Sequence, residues 1–274
     1  MDKSRTKFIV ILLLAIINFA LAGNLLYTHY AQSVIPQKTI DHTLAFLEQC
    51  GLWCEEKVIP HRAHTVYTQT IARNTKAEAA IAETLLGNIV KSEQGGGIDI
   101  YTGTHGEAVF RRGGLISIRL SGQAMPSDAS EAAEAAKTLL KKADLLPSDY
   151  GLVVETGDSI TVRFICEIDG VRLRNTDLSV TYADGTATIS GCAFTGEFSR
   201  GSEASRQITA VLADFAAYAA AYQPEVSLIV AAENAYYHTV SDDGSVHLIP
   251  AIYIKTDGGD FLVSGLDGSV LSGI

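Results

Sequence analysis

Residues 176–191 read TDLSVTYADGTATISG, a stretch that predicts two antiparallel strands joined by a tight turn. Leu178 to Tyr182 and Ala187 to Ile189 are strand-like runs of alternating character, the pattern of half-buried strands. Asp184 and Gly185 stand between them, and an Asp-Gly pair readily adopts the positive φ angles that a tight hairpin turn requires. We therefore expect an antiparallel hairpin here.

The rest of the chain combines similar strands with four helix patterns. Further strand patterns cover residues 98–101, 115–120, 160–168, 226–230, 248–254, 261–263 and 270–271. The helices are expected between Pro36 and Gly51, from a capping box at residues 75–78 to the glycines at 95–97, over about residues 128–143, and over about 203–222. This arrangement predicts an α+β fold with antiparallel sheet.

Two short patterns recur in the same order in the second half and predict an internal duplication. SDAS at residues 127–130 is expected to open the third helix, and SEAS at 202–205 the fourth. The turn Asp184-Gly185-Thr186 is matched by Asp267-Gly268-Ser269, each reached by a strand after the same interval. We expect residues 127–192 and 202–274 to share one topology, each with one helix packed on an antiparallel sheet.

Near the N-terminus, residues 8–27 form an uncharged run behind the basic flank Lys3, Arg5 and Lys7. Twenty residues span about 30 Å as a helix, enough to cross a bilayer, and the basic flank is expected to stay in the cytoplasm. We expect a permanent single-pass anchor in the lipid bilayer, with the main domain outside. The alternative is cleavage after Ala22, because Ala20-Leu21-Ala22 has the small-x-small pattern of a signal-peptidase site.

One face of the predicted membrane helix suits contact with a second helix. Ala15, Asn18 and Ala22 recur at i, i+3 and i+7, which places them on the same side. Small residues allow helices to pack closely in lipid, and an asparagine amide near mid-span is costly without a hydrogen-bonding partner. We expect these three residues to form a partner-facing surface.

The composition of the outer part excludes some classes of partner. Residues 28–274 carry 18 Lys and Arg against 30 Asp and Glu, a net charge of −12. An acidic domain argues against nucleic acid and against an anionic membrane surface, because both require a basic patch. With 47% hydrophobic residues in the chain, this part can bury a core of one or two domains.

No motif in the sequence supports catalysis or a cofactor. His61 and His64 follow Pro60 in a predicted loop without further metal ligands, and the Asp-Gly segments at 242–244 and 257–260 are typical of turns. Neither a nucleophile elbow nor a phosphate-binding loop is present. We expect a protein that is not an enzyme and that requires no metal or cofactor.

The four cysteines leave the disulfide state open. Cys50 and Cys54 bracket three residues, whereas Cys166 and Cys192 lie in separate predicted strands, so three pairings are formally possible. Buried free thiols, acting as small apolar residues, are at least as consistent with the positions of Cys166 and Cys192.

The layout resembles a known family. The opening MDKSRTK followed by one apolar span, the segment FLEQCGLWCEEKVIP at residues 46–60, and the TDLSVTYADGTATISG stretch are similar to the YycI/YycH family of bitopic regulators. That resemblance implies regulation of the WalK sensor kinase of cell-wall homeostasis, with a paralogous regulator as a second partner. It divides the chain into a cytoplasmic flank and anchor (1–28), a membrane-proximal α+β region (29–122) and two PepSY-like repeats (123–200 and 201–274).

Three functional hypotheses follow. The first is a non-enzymatic, membrane-anchored regulator that contacts a sensor kinase through the membrane and outside it. The second is an exported PepSY-like module that binds a peptide or inhibits a protease at a sheet edge. The third and weakest is a cell-wall hydrolase, since no nucleophile, metal or paired-carboxylate constellation emerges from the sequence.

The anchor hypothesis predicts that the mature protein keeps its first 22 residues. The run before Ala20 is too short to span a bilayer, whereas residues 8–27 are long enough. N-terminal sequencing of the protein from membranes should therefore give the original N-terminus. A mature chain that starts at Gly23 would contradict the anchor.

Overall fold

The computed structural model describes residues 14, 17–19, 21, 34–223 and 225–273, and its elements confirm the predicted α+β class. The helices from residue 34 onward are α1 (Gln37–Gln49), α2 (Thr75–Leu86), α3 (Ala129–Lys142) and α4 (Ile208–Tyr222). The strands are β1 (Trp53–Cys54), β2 (Tyr67–Ile71), β3 (Ile89–Glu93), β4 (Asp99–Gly103), β5 (Gly106–Phe110), β6 (Leu115–Ser121), β7 (Asp149–Thr156), β8 (Ile160–Ile168), β9 (Val171–Leu173), β10 (Leu178–Ala183), β11 (Thr186–Cys192), β12 (Phe198–Ala204), β13 (Leu228–Val240), β14 (Val246–Thr256), β15 (Gly259–Ser264) and β16 (Val270–Gly273).

The predicted membrane span at residues 8–27 lies largely outside the described residues. Among the residues that are described, no helix has both the length and the apolar character needed to cross a bilayer.

The hairpin predicted at residues 176–191 is confirmed as β10 and β11. Asp184 and Gly185 have φ angles of 48° and 69°, and Ala183 lies opposite Thr186, so a two-residue turn joins the strands. At the other end of the hairpin, Gly191 has a φ of 118°, and a Cβ there would lie 1.9 Å from the Asp177 carbonyl oxygen. Glycine is therefore required for the strands to approach this closely.

Eight strands form one continuous antiparallel sheet in the order β3-β4-β5-β6-β11-β10-β8-β7. One face, here called the helix face, is covered by α2 and α3. Residues in direct register on this face are mostly buried. From β3 to β7 they are Lys91, Tyr101, Ala108, Ile118, Ile189, Val180, Val162 and Val154. The opposite face, here called the open face, carries the polar half of the alternation.

A second core lies around β13, β14 and β15. Helices α1 and α4 pack against each other and cover these strands, with Ile40, Leu47, Leu212 and Phe215 fully buried. The short strand β9 joins the two parts, because it pairs antiparallel with β8 and parallel with β13. The sheet therefore runs through both cores.

The same unit, a helix followed by a four-stranded antiparallel meander, occurs three times within the described part of the chain. It comprises α2 with β3 to β6, α3 with β7, β8, β10 and β11, and α4 with β13 to β16. The last two units lie within residues 127–192 and 202–274, and their four main strands have the same order, apart from the added β9. The first unit was not predicted from the sequence.

Two predicted helix boundaries are wrong. The fourth helix begins at Ile208, not near residue 203, because Phe198–Ala204 is a strand that pairs with β2. SEAS at 202–205 therefore does not open a helix, so it does not occupy the same structural position as SDAS at 127–130. The second helix ends at Leu86, where Gly87 has a φ of 81°, and Ile89 begins β3.

The predicted capping box at residues 75–78 is also wrong, because Asn74 caps α2 instead. Its side chain accepts a hydrogen bond from the Ala77 amide at 3.1 Å. Glu78 turns inward and binds Arg73 through two hydrogen bonds of 2.8 and 2.7 Å, and Arg73 also donates to Asp99 at 2.9 Å. Glu78 and Asp99 are buried, so this ion cluster ties the first turn of α2 to β4.

Removing the Glu78 charge should destabilise the protein. Glu78→Gln leaves the partly buried Arg73 beside one buried carboxylate instead of two, at a cost of about 3 kcal/mol, typical of a broken buried ion pair. The matched control is Glu134→Gln, which breaks the exposed pair with Lys137 and should cost less than about 0.5 kcal/mol. Urea unfolding monitored by circular dichroism measures both, and equal losses would contradict a structural role for the cluster.

Candidate functional site at the β7 edge

Strand β7 is an unpaired edge of the eight-stranded sheet. All eight of its residues pair with β8, from Asp149 opposite Glu167 to Thr156 opposite Ile160. No other strand among the described residues pairs with it. In an antiparallel pair, every second residue directs its N–H and C=O towards the partner, and the others direct theirs away. Four residues of β7 therefore direct their backbone N–H and C=O groups away from β8, where no strand among the described residues pairs with them.

The side chains of β7 leave the middle of this edge open to pairing. The strand, DYGLVVET, contains no Lys, Arg or Pro, and its pairing with β8 has no register shift. Leu152 is 37% exposed and Val153 is 40% exposed. Proteins usually blunt sheet edges with lysine, proline, bulges or short strands, so a long, regular and partly apolar edge is suited to pairing with another chain.

Two other edge strands, β3 of this sheet and β12 at the far end of the full sixteen-stranded sheet, carry such protection. Strand β3 has only five residues, and its Lys91 binds Glu93 at 2.7 Å and Asp99 at 3.1 Å. Strand β12 contains Arg200 and shifts register against β2 directly after it. Of these three edges, β7 is the best suited to an incoming strand.

The chain reaches β7 by a short loop from α3. The helix ends in a turn in which Asp144 has a φ of 55° and the Leu145 amide donates to the Leu140 carbonyl at 2.8 Å. Pro147 follows, and β7 begins two residues later. At the other end, the Gly157 amide bonds the Ser159 carbonyl at 3.0 Å and turns the chain into β8. Both ends of the edge strand are thus fixed by local hydrogen bonds.

A cavity of about 210 Å³ lies beneath the loop that leads into β7. Its lining residues are Asp144, Leu145, Leu146, Pro147, Ser148, Cys166, Glu167, Ile168, Leu178, Cys192, Ala193, Phe194 and Phe198. Burial raises the pKa of the Cys166 thiol to about 11 and that of Cys192 to about 12. Both thiols therefore stay protonated at neutral pH, and they act as apolar wall rather than as nucleophiles.

The open face of the sheet continues to β7 and is rich in hydroxyl groups. From β3 to β7, one row in direct register consists of Val90, Thr102, Glu107, Arg119, Thr188, Thr181, Thr161 and Glu155. The hydroxyls of Thr161 and Thr181 lie 3.0 Å apart. In the next row, Arg163 forms ion pairs with Asp177 at 2.6 Å and with Glu155 at 3.1 Å. These bonds raise the pKa of Arg163 above its usual value, so it remains a fixed cation.

The structure leaves the predicted membrane contact face incomplete. Asn18 is helical and exposed, whereas Ala15 and Ala22 lie outside the described residues. The surface formed by these three residues therefore stays a prediction.

Most other motifs lie where the sequence analysis placed them. His61 and His64 are exposed in a loop. Asp243 accepts a turn hydrogen bond from the Ser245 amide, whereas Asp257 lies in the turn between β14 and β15 and accepts a bond from the Ser227 hydroxyl, 30 residues away. The described residues contain no cluster of three His, Cys, Asp or Glu side chains suited to a metal ion, and their four cysteines are free thiols.

Sequence reasoning missed β7 as a strand, although a local signal was present. Residues 152–154 are Leu-Val-Val, and the segment lies between Pro147 and Gly157, two residues that interrupt regular structure. Its edge position could not be read in this way, because it depends on the order of distant strands.

Comparisons with known proteins found no matching family model and no matching curated protein. Among solved structures, an uncharacterized protein from Eubacterium rectale ATCC 33656 is similar at a TM-score of 0.45 and 10% identity, over 76% of this chain and 86% of that chain. The C-terminal domain of Bacillus megaterium YpeB is similar at a TM-score of 0.38 and 10% identity, over 74% of this chain and 97% of that chain.

Proposed function

We propose that this protein is a non-enzymatic regulator that is anchored in the membrane and binds an extended segment of another protein along β7. The observation that carries this proposal is the unpaired eight-residue edge with exposed Leu152 and Val153. A strand added to a sheet edge gains affinity from main-chain hydrogen bonds and specificity from alternate side chains. Such binding requires no metal, cofactor or catalytic group.

The rigidity of the surrounding sheet supports this role. Strand β7 is held along its full length by β8, whose inward residues Val162 and Phe164 are fully buried under α3. An edge that is already in strand conformation loses little conformational freedom when a peptide pairs with it. The ordering cost then falls mainly on the incoming segment.

The membrane part of the proposal rests on residues 8–27 and on the resemblance to the YycI/YycH regulators. We place the N-terminus in the cytoplasm and the described domain outside, with a sensor kinase as partner and a paralogous regulator as a second one. A contact through Ala15, Asn18 and Ala22 in the bilayer would hold the two proteins together. The outer contact at β7 would then form at a high effective concentration.

The alternative is an exported peptide-binding or protease-inhibiting module, released by cleavage after Ala22. It is supported by the Ala20-Leu21-Ala22 pattern and would use the same edge. Membrane fractionation separates the two: a regulator stays with the membrane, whereas the released module is recovered in the soluble extracytoplasmic fraction.

A lysine placed on β7 should weaken partner binding. Val153→Lys adds a charged side chain of the kind that blocks edge pairing, and we expect about tenfold less partner to co-purify with the full chain. The matched control is Val90→Lys on β3, the opposite edge of the sheet, where valine is also exposed on the open face. Mass spectrometry of the partner recovered from membranes measures the effect. Equal recovery with both variants would contradict binding at β7.

A further inference from the structure

The residues of β7 divide into two sets with different surroundings. Leu152 and Val154 lie opposite Phe164 and Val162, whose side chains are buried on the helix face. Val153 and Glu155 lie opposite Arg163 and Thr161 on the open face. Because side chains alternate along a strand, Tyr150 joins the first set, and Asp149 and Gly151 join the second.

On the helix face, β7 ends the sheet with an incompletely covered apolar row. Tyr150 and Val154 are half-buried against the first core, and the Tyr150 ring lies 5.2 Å from that of Phe164. Leu152 stands between them and is 37% exposed, although the neighbouring Phe164 is fully buried. Apolar side chains on an added strand would cover this row and extend the core by one strand.

On the open face, the same strand carries a carboxylate near each end. Asp149 and Glu155 are six residues apart, and both are exposed. Asp149 has no ion-pair partner within the described part of the chain, whereas Glu155 shares Arg163 with Asp177. The segment between Lys142 and Arg163 has no basic residue, and it also contains Asp144 and Asp158. Lys137 of α3, on the helix side, is already paired with Glu134 at 2.8 Å.

These charges disfavour a second copy of this chain as the occupant. In an antiparallel pairing that places Leu152 opposite Leu152, Asp149 of each copy would lie opposite Glu155 of the other. Like charges directly opposite each other destabilise a sheet. A segment with basic residues at the same two positions would instead form two cross-strand ion pairs.

We infer that the segment bound by β7 is an amphipathic strand with the seven-residue pattern basic–apolar–polar–apolar–polar–apolar–basic. Its three apolar residues cover Tyr150, Leu152 and Val154 on the helix face, and its two basic residues lie opposite Asp149 and Glu155. The pattern is the same in both directions, so it suits parallel or antiparallel pairing. This inference rests on the proposed function and specifies the chemistry of its partner.

Labelled peptides test the pattern directly. The probe is the capped peptide Lys-Val-Thr-Val-Thr-Val-Lys, titrated by fluorescence anisotropy with the full chain in detergent micelles. A second peptide replaces both lysines with glutamate, and a third, Lys-Thr-Val-Thr-Val-Thr-Lys, reverses the alternation. We expect the first peptide to bind about tenfold more tightly than either control. The glutamate peptide lacks the two cross-strand charge pairs, and the peptide with reversed alternation lacks the three apolar contacts. Binding should weaken as salt is added.

Matched protein variants locate the effect. The double change Asp149→Asn with Glu155→Gln should remove most of the preference for lysine over glutamate. The control double change Glu93→Gln with Glu107→Gln, on β3 and β5 of the same sheet, should leave the preference intact.

If the lysine and glutamate peptides bind with equal affinity, and Val153→Lys abolishes the binding of both, the charge pattern is overturned while β7 remains a binding edge. If Val153→Lys leaves the affinity for the lysine peptide unchanged, the peptide does not bind along β7. That result would count against β7 as a binding edge, and therefore against the proposed function. Failure of all three peptides to bind would overturn the inferred pattern. If sedimentation analysis shows a dimer, and Val153→Lys dissociates that dimer, the occupant of β7 is a second copy of the chain. This result would also overturn the inferred pattern.

Discussion

The unbroken antiparallel register from β3 to β7 is the constraint on which the rest of the structure depends. Because side chains alternate along every strand and the strands pair without a shift, apolar residues from eight strands collect on one face. Helices α2 and α3 cover that face and form the first core. The register therefore also determines what is left uncovered: a polar open face and two edge strands.

The parts of this fold that could be predicted from the sequence are those fixed by local interactions. The β10–β11 hairpin was predictable because Asp184 and Gly185 determine its turn, and α3 because Asp128 caps it at the predicted position. The start of α4 was predicted wrongly because residues 198–204 are held extended by pairing with β2, which is distant in sequence. The edge position of β7 was equally inaccessible, since it arises from strand order and not from the residues of β7 itself.

The two uncovered features differ in what they offer a partner. The open face presents hydroxyl groups that are partly satisfied by one another, such as Thr161 with Thr181 and Ser179 with Ser190. Strand β7 instead presents backbone groups that no other described strand pairs with, beside an apolar row and two carboxylates. This contrast is why we propose that the domain binds a partner by main-chain pairing rather than acting as a catalyst. The proposed membrane anchor would keep such binding close to proteins in the same bilayer.

Residue-resolved amide hydrogen exchange of β7, measured in the full chain with and without its co-purified partner, tests the central claim most directly. The account predicts that alternate amides of residues 149–156 exchange orders of magnitude faster than their neighbours in the free protein. The same amides should become protected when the partner binds. Uniform protection of the free strand, or an alternating pattern that the partner leaves unchanged, would contradict a binding role for this edge.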